Sequence, residues 1–289
     1  MRLNAFFPTR DIGRDPAKIR DWAQAAEALG YACIEVPDHV FGATARDGWT
    51  PVYDETDPFH ETFTTLAFLA GVTKTIGLSS GVLILPQRQT GVVAKQAAEV
   101  DILSGGRLRL GIGVGWNHVE YASLGTEWET RGARQAEQVK VLRRLWTEDL
   151  VTFSGRFHEL REVSIVPRPI QRPIPIWFGG SSDAVVKRAA RLGDGWMPIL
   201  APDGEAEAKL DALRGHLKDF GRDPAAFGLE AWLRTKAFDP DGWAEAADGW
   251  RRLGAQMVML YPTHRIATFD EQIETLRRFK EAAEDARGG

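Results

Sequence analysis

Cysteine is almost missing from this chain. Cys33 is the only one in 289 residues, so no intrachain disulfide can form. It lies in an apolar stretch and reads as a small buried hydrophobe rather than a nucleophile. Sparse cysteine also suits a reducing, cytoplasmic setting. Long hydrophobic runs are missing too: nothing approaches the ~18–20 residues of a membrane helix. The stretch before Pro8 lacks the pattern of a signal peptide, so a soluble protein is expected. An excess of positive charge is absent. Net charge is −4, in short mixed blocks, which argues against nucleic acid or an anionic membrane as a partner. Histidines stand at 39, 60, 118, 158, 216 and 264 without paired ligand spacing and without H-E-x-x-H, so no metal site is expected. There is no G-x-S-x-G elbow and no local cysteine triad signature, which disfavours hydrolysis by a serine or cysteine nucleophile.

What is present is an alternation of strand and helix signals. Apolar runs at Leu3–Phe7, Tyr31–Val36, Ile76–Leu85, Arg107–Gly113, Ile174–Phe178, Trp196–Leu200, Leu229–Phe238 and Met257–Tyr261 read as eight strands. Helical periodicity follows each of them. Asp15-Pro16 supplies an N-cap and an N1 proline, and Thr268-Phe-Asp-Glu271 forms a capping box. Most strand runs are continuous rather than alternating, the pattern of parallel strands buried on both faces. A doubly wound sheet competes. The count of eight and the lack of a mid-chain linker favour an α/β chain folded as one (β/α)₈ barrel over residues 1–289, a length suited to this fold. Loop insertions are expected after strand two (to about 60), after strand four (114–130) and before strand five (150–172).

In such barrels ligands bind at the carboxyl ends of the strands. Strand two ends in Asp38-His39, the only close acid–imidazole pair at a strand end. It reads equally as a proton-donating group and as a packed turn. Strand four ends in Gly111-x-Gly113-x-Gly115. These glycines would admit a flat ring or a phosphate to the backbone, or simply let strands pack. They are not a dinucleotide fingerprint, because a long loop rather than a helix follows. Strand five ends in Gly179-Gly180-Ser181-Ser182-Asp183 and opens a helix, which favours a phosphate site over plain capping. Of ten tryptophans, Trp22, Trp146, Trp243 and Trp250 read as helix-face core. Trp49, Trp116 and Trp196 fall where a ring could wall a planar ligand.

Longer motifs carry a family resemblance. Leu78-Ser-Ser-Gly-Val-Leu-Ile-Leu-Pro-Gln-Arg88, Ala94-Lys-Gln-Ala-Ala98, and Asp101-x-Leu-Ser-Gly-Gly-Arg-Leu108 running into Gly111-Ile-Gly-Val-Gly-Trp116 resemble the luciferase-like monooxygenases. So does Pro175-Ile-Trp-Phe-Gly-Gly-Ser181 followed by Ala189-Ala-Arg-Leu-Gly-Asp-Gly-Trp196. The likeness runs from the first strand to about residue 200 and then weakens. Val36-Pro-Asp-His39 and Arg131-Gly132 look most like the branch that uses the deazaflavin coenzyme F420. The resemblance implies hydride transfer from the reduced coenzyme to a small organic acceptor, with His39 as proton donor. It places Asp38 and His39 beside ring or substrate, and Gly81-Val82 as a non-proline cis peptide behind the ring. Gly113 and Asn117 would line the cofactor, and Gly179, Gly180 and Ser181 would hold its phosphate. The chain departs from the branch in having no carboxylate directly after the strand-four glycines. It also lacks the arginine that luciferases proper carry there for the flavin phosphate, which tilts against flavin mononucleotide (FMN). The alternatives are a two-component monooxygenase fed FMNH₂ by a partner reductase, and a non-catalytic flavin-binding barrel. A homodimer is implied by resemblance alone.

Overall fold

A computed structural model describes residues 1–46, 48–235, 239–262, 265–266 and 268–285. The strands are β1 (Arg2–Phe6), β2 (Cys33–Val36), β3 (Gly77–Ser80), β4 (Leu83–Ile84), β5 (Leu108–Gly113), β6 (Val151–Ser154), β7 (Glu159–Val163), β8 (Ile176–Gly179), β9 (Gly195–Met197), β10 (Gly228–Thr235) and β11 (Met257–Pro262). The helices are α1 (Pro16–Ala28), α2 (Thr62–Val72), α3 (Thr90–Leu103), α4 (His118–Ser123), α5 (Arg131–Thr147), α6 (Asp183–Leu192), α7 (Gly204–Asp219), α8 (Pro240–Arg252) and α9 (Phe269–Asp285). The expected strand end at Phe238 and the histidine at 264 lie outside the described residues.

Nine strands pair in parallel in the order β3-β2-β1-β11-β10-β9-β8-β5-β4, and a β3–β5 pairing closes the ring. Because β3 and β4 are two pieces of one stave, this is the expected eight-staved barrel. Local signals explain the elements. Asp15 caps α1 by accepting from the Ala17 N–H, and the buried stripe Trp22, Ala23, Ala26 follows at helical spacing. Gly30, at φ +80°, takes the left-handed position after the helix. Thr268 and Glu271 exchange the two hydrogen bonds of a capping box before α9.

One expectation needs correction, and two of the expected insertions gain internal structure. The run Ile76–Leu85 is not one strand: it breaks at Gly81-Val82, resumes as β4 and ends in a 3₁₀ turn at Leu85–Gln87. Continuous apolar character cannot show a bulge inside a buried strand. The loop 114–130 holds a helix, α4. The excursion 150–172 carries the antiparallel hairpin β6–β7, which pairs with no barrel strand. Trp22, Trp146 and Trp250 are sealed in the core and Trp243 nearly so, as expected of helix-face residues. Cys33 is buried too, and burial pushes its thiol far up from its ordinary value.

The barrel interior holds a polar floor that sequence periodicity does not disclose. Arg109 on β5 pairs with Glu35 on β2 at 2.9 Å and with Glu230 on β10 at 2.6 Å. Asn4 on β1 donates to Glu230 at 2.7 Å and to Glu35 at 3.2 Å. The guanidinium lies 4.4 Å from the ring centre of Trp177. Both carboxyls are sealed from solvent. Burial first, then the neighbouring Glu230, pushes Glu35 well above its ordinary value of 4.5. One cation with two carboxylates in a low-dielectric core is relieved by keeping Glu35 protonated. The unfolded chain loses that proton from about pH 4.5 upward while the folded chain keeps it, so the folded state loses relative stability as pH rises toward the raised value. Glu35→Gln, neutral at every pH, is therefore expected to match the parent near pH 4.5 and to gain on it with rising pH, by up to about 1.4 kcal/mol per pH unit. Urea denaturation from about pH 5 to about pH 8 reads this. A variant less stable by a constant amount across that range refutes it.

Candidate functional site

A cleft of about 400 Å³ opens at the carboxyl ends of the strands, where a barrel places its ligands. Of the residues that the resemblance placed around the cofactor, all except Asn117 line it. The size falls within the range of small-molecule and cofactor sites.

Its back wall is the break between β3 and β4. The Gly81-Val82 peptide is cis, as the resemblance implied. Val82 projects between two strand ends. A Cβ on Gly113 would lie 2.6 Å from one methyl of Val82, and a Cβ on Gly179 would lie 2.7 Å from the other. The glycines at 113 and 179 therefore make room for Val82 in the first place. Gly111 serves strand packing, because a Cβ there would meet the Ser80 carbonyl at 2.1 Å. Gly81 rests on the polar floor: a Cβ would meet Glu35 Oε2 at 2.8 Å.

One side wall is the turn from β8 into α6. Gly180 has φ +111°, which glycine tolerates and other residues do not. Trp196 donates its indole N–H to the Gly180 carbonyl at 2.7 Å. That tryptophan is fully buried and braces the turn from behind, rather than walling a ligand as its position suggested. Ser181 Oγ accepts from the Ile199 N–H at 3.2 Å. Ser182 is the N-cap of α6, and its side chain makes no capping bond. The first N–H groups of a helix have no intrahelical acceptor, so this turn offers donors and a hydroxyl to an anion.

The opposite wall carries the acid–imidazole pair, and its two members part company. Asp38 is tied up. It accepts from Arg88 Nη2 at 2.7 Å, from the Ile84 N–H at 2.9 Å and from Thr62 Oγ1 at 3.0 Å. It fixes the chain just after the bulge. His39 faces a different carboxylate: its Nδ1 lies 3.1 Å from Glu120 Oε2. Glu120 also accepts from the N–H groups of Val40 at 2.6 Å and Phe41 at 3.0 Å, and from Gln87 at 3.1 Å. Burial alone would raise this carboxyl. The His39 hydrogen bond and charge, with the two N–H groups, outweigh burial and hold it below its ordinary range. An ionised Glu120 accepts a hydrogen bond from Nδ1–H and leaves Nε2 outside that contact. Three rings pack edge-on around the imidazole: Phe59 at 4.9 Å, Trp116 at 5.4 Å and Tyr53 at 5.5 Å. The Tyr53 and Tyr261 hydroxyls are in contact, and Trp232 stacks on Tyr261 at 5.6 Å.

Asn117 lies off the cleft wall. Its amide oxygen accepts from the Glu120 N–H at 3.1 Å and caps α4, so it positions Glu120. Trp49 also lies off the wall, stacked on Trp116 at 6.1 Å. Arg131 opens α5 and packs its guanidinium 3.6 Å from the Trp128 ring centre. Glu120 itself was missed. The signal was there: Asn117 and Glu120 stand three apart, the spacing of an N-cap and its N3 acid.

Comparison with known proteins fits this geometry. An uncharacterised protein of Mycobacterium tuberculosis is 38% identical over 238 residues, 80% of this chain and 79% of the relative. A protein named F420-dependent glucose-6-phosphate dehydrogenase, from Kineococcus radiotolerans, is 32% identical over 231 residues, 78% of this chain and 65% of the relative. Among solved structures, a monooxygenase of Streptomyces bottropensis superposes with a TM-score of 0.82 at 22% identity, covering 99% of both chains. The family model described as luciferase-like monooxygenase matches residues 1–287, and the chain belongs to that family.

Proposed function

We propose that this chain is a deazaflavin-dependent oxidoreductase that uses coenzyme F420, with a small organic molecule as hydride acceptor and His39 as proton donor. The observation that carries the reading is the His39–Glu120 pair, set in an aromatic wall of the same cleft that the Val82 bulge lines. The residues fit the coenzyme. The Gly179–Ser182 turn presents helix N–H groups and the Ser181 hydroxyl to a phosphate. The bulge supplies an apolar surface against which a flat ring can rest. When bound, the coenzyme supplies the hydride. The chain supplies the rest. Phe59, Trp116 and Trp232 exclude water, Glu120 holds Nδ1, and Nε2 of the protonated His39 delivers a proton to the reduced acceptor. Relatives named F420-dependent support the coenzyme.

Three outcomes are expected. Anaerobic titration of the purified chain, followed by coenzyme and tryptophan fluorescence, should show F420 binding at about tens of micromolar or tighter, with FMN at least about tenfold weaker. Tight FMN binding without F420 binding would reverse the assignment toward a reductase-fed monooxygenase. Once a turnover assay exists, His39→Ala and Glu120→Gln should each lower kcat by about 100-fold with little change in coenzyme Kd, and the double variant should cost little more, because the two act as a unit. Independent, multiplying losses would break the dyad. Gly113→Ala forces a Cβ to 2.6 Å from Val82 and should weaken coenzyme binding by about tenfold or more. Val82→Ala in the same chain should restore much of that loss. Failure of the second change to rescue would mean that Gly113 meets the ligand directly.

A further inference from the structure

We infer that the acceptor carries an anionic group, a carboxylate or a phosphate, and that Arg234 binds it. The inference rests on the cleft being the reaction site proposed above and names the class of molecule that enters it.

The argument begins with β10. Side chains two apart in a strand share a face. Glu230 pairs with Arg109 in the barrel floor, Trp232 lines the cleft above it, and Arg234 lines the cleft one step nearer the mouth. In this inward series only the last member is exposed.

Away from the Gly179–Ser182 turn, the acid, imidazole and phenol groups of the cleft have partners within the protein. Asp38 is held by Arg88, His39 by Glu120, and Tyr53 and Tyr261 by each other. Arg234 alone among the charged groups lining the cleft has no carboxylate within ion-pairing distance among the described residues. Its field falls on Tyr261, its partner in the parallel register between β10 and β11. A guanidinium fork without a carboxylate partner among the described residues, at the rim of an aromatic cleft, matches a carboxylate or phosphate in shape and charge.

Position separates this site from the one that suits the coenzyme. The Gly179–Ser182 turn follows β8, and β9 stands between β8 and β10. Two strand spacings, about 10 Å, divide the turn from Arg234. On the other side, Arg234 connects to the proton donor through neighbours: Tyr261 touches Tyr53, and Tyr53 packs on His39 at 5.5 Å. A compact acid fits between them. Its anion sits on Arg234, its apolar body lies against Trp232 and Tyr261, and its reducible carbon lies toward His39.

The test uses a pair of probes alike in shape and unlike in charge. Phenylacetate and phenylacetamide are titrated into the F420-free chain and into the F420-bound chain, followed by tryptophan fluorescence, since Trp116 and Trp232 line the cleft. The acid is expected to bind about tenfold tighter than the amide. Added salt should narrow the gap. Arg234→Met should abolish the preference and leave amide affinity unchanged, and Arg234→Lys should keep part of it. F420 affinity should be the same in the Arg234→Met chain as in the parent. Equal binding of the two probes, binding of neither, or a preference that survives Arg234→Met overturns the inference. So does loss of F420 affinity in Arg234→Met, which would give the guanidinium to an anion of the coenzyme. Failure of the parent chain to bind F420 is read separately and tests the function, not the cation.

Discussion

Val82 sits where three staves of the barrel meet, and the site is organised around its side chain. The isopropyl group fills the space that Cβ atoms would take at Gly113 and Gly179, so the ends of β5 and β8 can approach only because both residues are glycine. Beneath it, Gly81 rests on the carboxyl of Glu35, which Asn4 and Arg109 hold in the floor. The cleft wall is thus continuous with the packed interior. A change in the floor reaches the wall through direct contact at Gly81, and a change at the strand-end glycines reaches it through the methyls of Val82.

Two ion pairs then fix the turn beside that wall. Adjacent residues of one turn, Asp38 and His39, are sent to different partners. Asp38 binds Arg88 and the Ile84 N–H, which anchors the segment immediately after the bulge. His39 binds Glu120, whose helix is started by Asn117. Asp38 therefore sets where the bulge lies and Glu120 sets where the imidazole lies. The two settings share one short turn after β2, which keeps the imidazole and the apolar bulge in register. Glu120 also gathers the Val40 and Phe41 N–H groups, so the carboxylate that orients His39 also holds the start of the loop that follows it.

The barrel itself was legible because its signals are local and repeated. Helix caps, continuous strand runs and glycine stops recur along the chain, and no single misread changes the count. The glycines at 81, 113, 179 and 180 and the residues Val82, His39 and Ser181 were legible as a set, because strand ends are marked by glycine and the motifs are long. What did not show was pairing across the fold. Nothing near Glu35 in the chain announces Arg109 or Glu230, which lie on strands far away in sequence. Asp38 looked like the partner of His39 because it is adjacent, yet neighbouring residues at a strand end point to opposite sides. The true partner lies 81 residues on, in a short helix whose two turns are too brief for a periodic signal. Trp196 misled for a similar reason: a strand-end position does not say whether a ring faces the cleft or the helix behind it.

The distribution of charge gives these separate contacts a common direction. At the bottom of the barrel, two carboxylates and one guanidinium are sealed together, an arrangement that burial tolerates only when each charge is paired or neutralised. At mid-height the imidazole is almost covered, with 9% of its side chain exposed, and it is paired with a carboxylate exposed by only 1%. At the rim Arg234 is exposed and carries no counter-ion among the described residues. Exposure thus rises from floor to mouth along the inward face of β10. A floor tied together by Arg109 and Asn4 supports the bulge at Gly81, Glu120 holds the imidazole, and Arg234 at the entrance has no carboxylate partner among the described residues. The same strand supplies Glu230, Trp232 and Arg234 in order from floor to rim, so one strand links the ion cluster of the floor, the aromatic wall and the exposed cation.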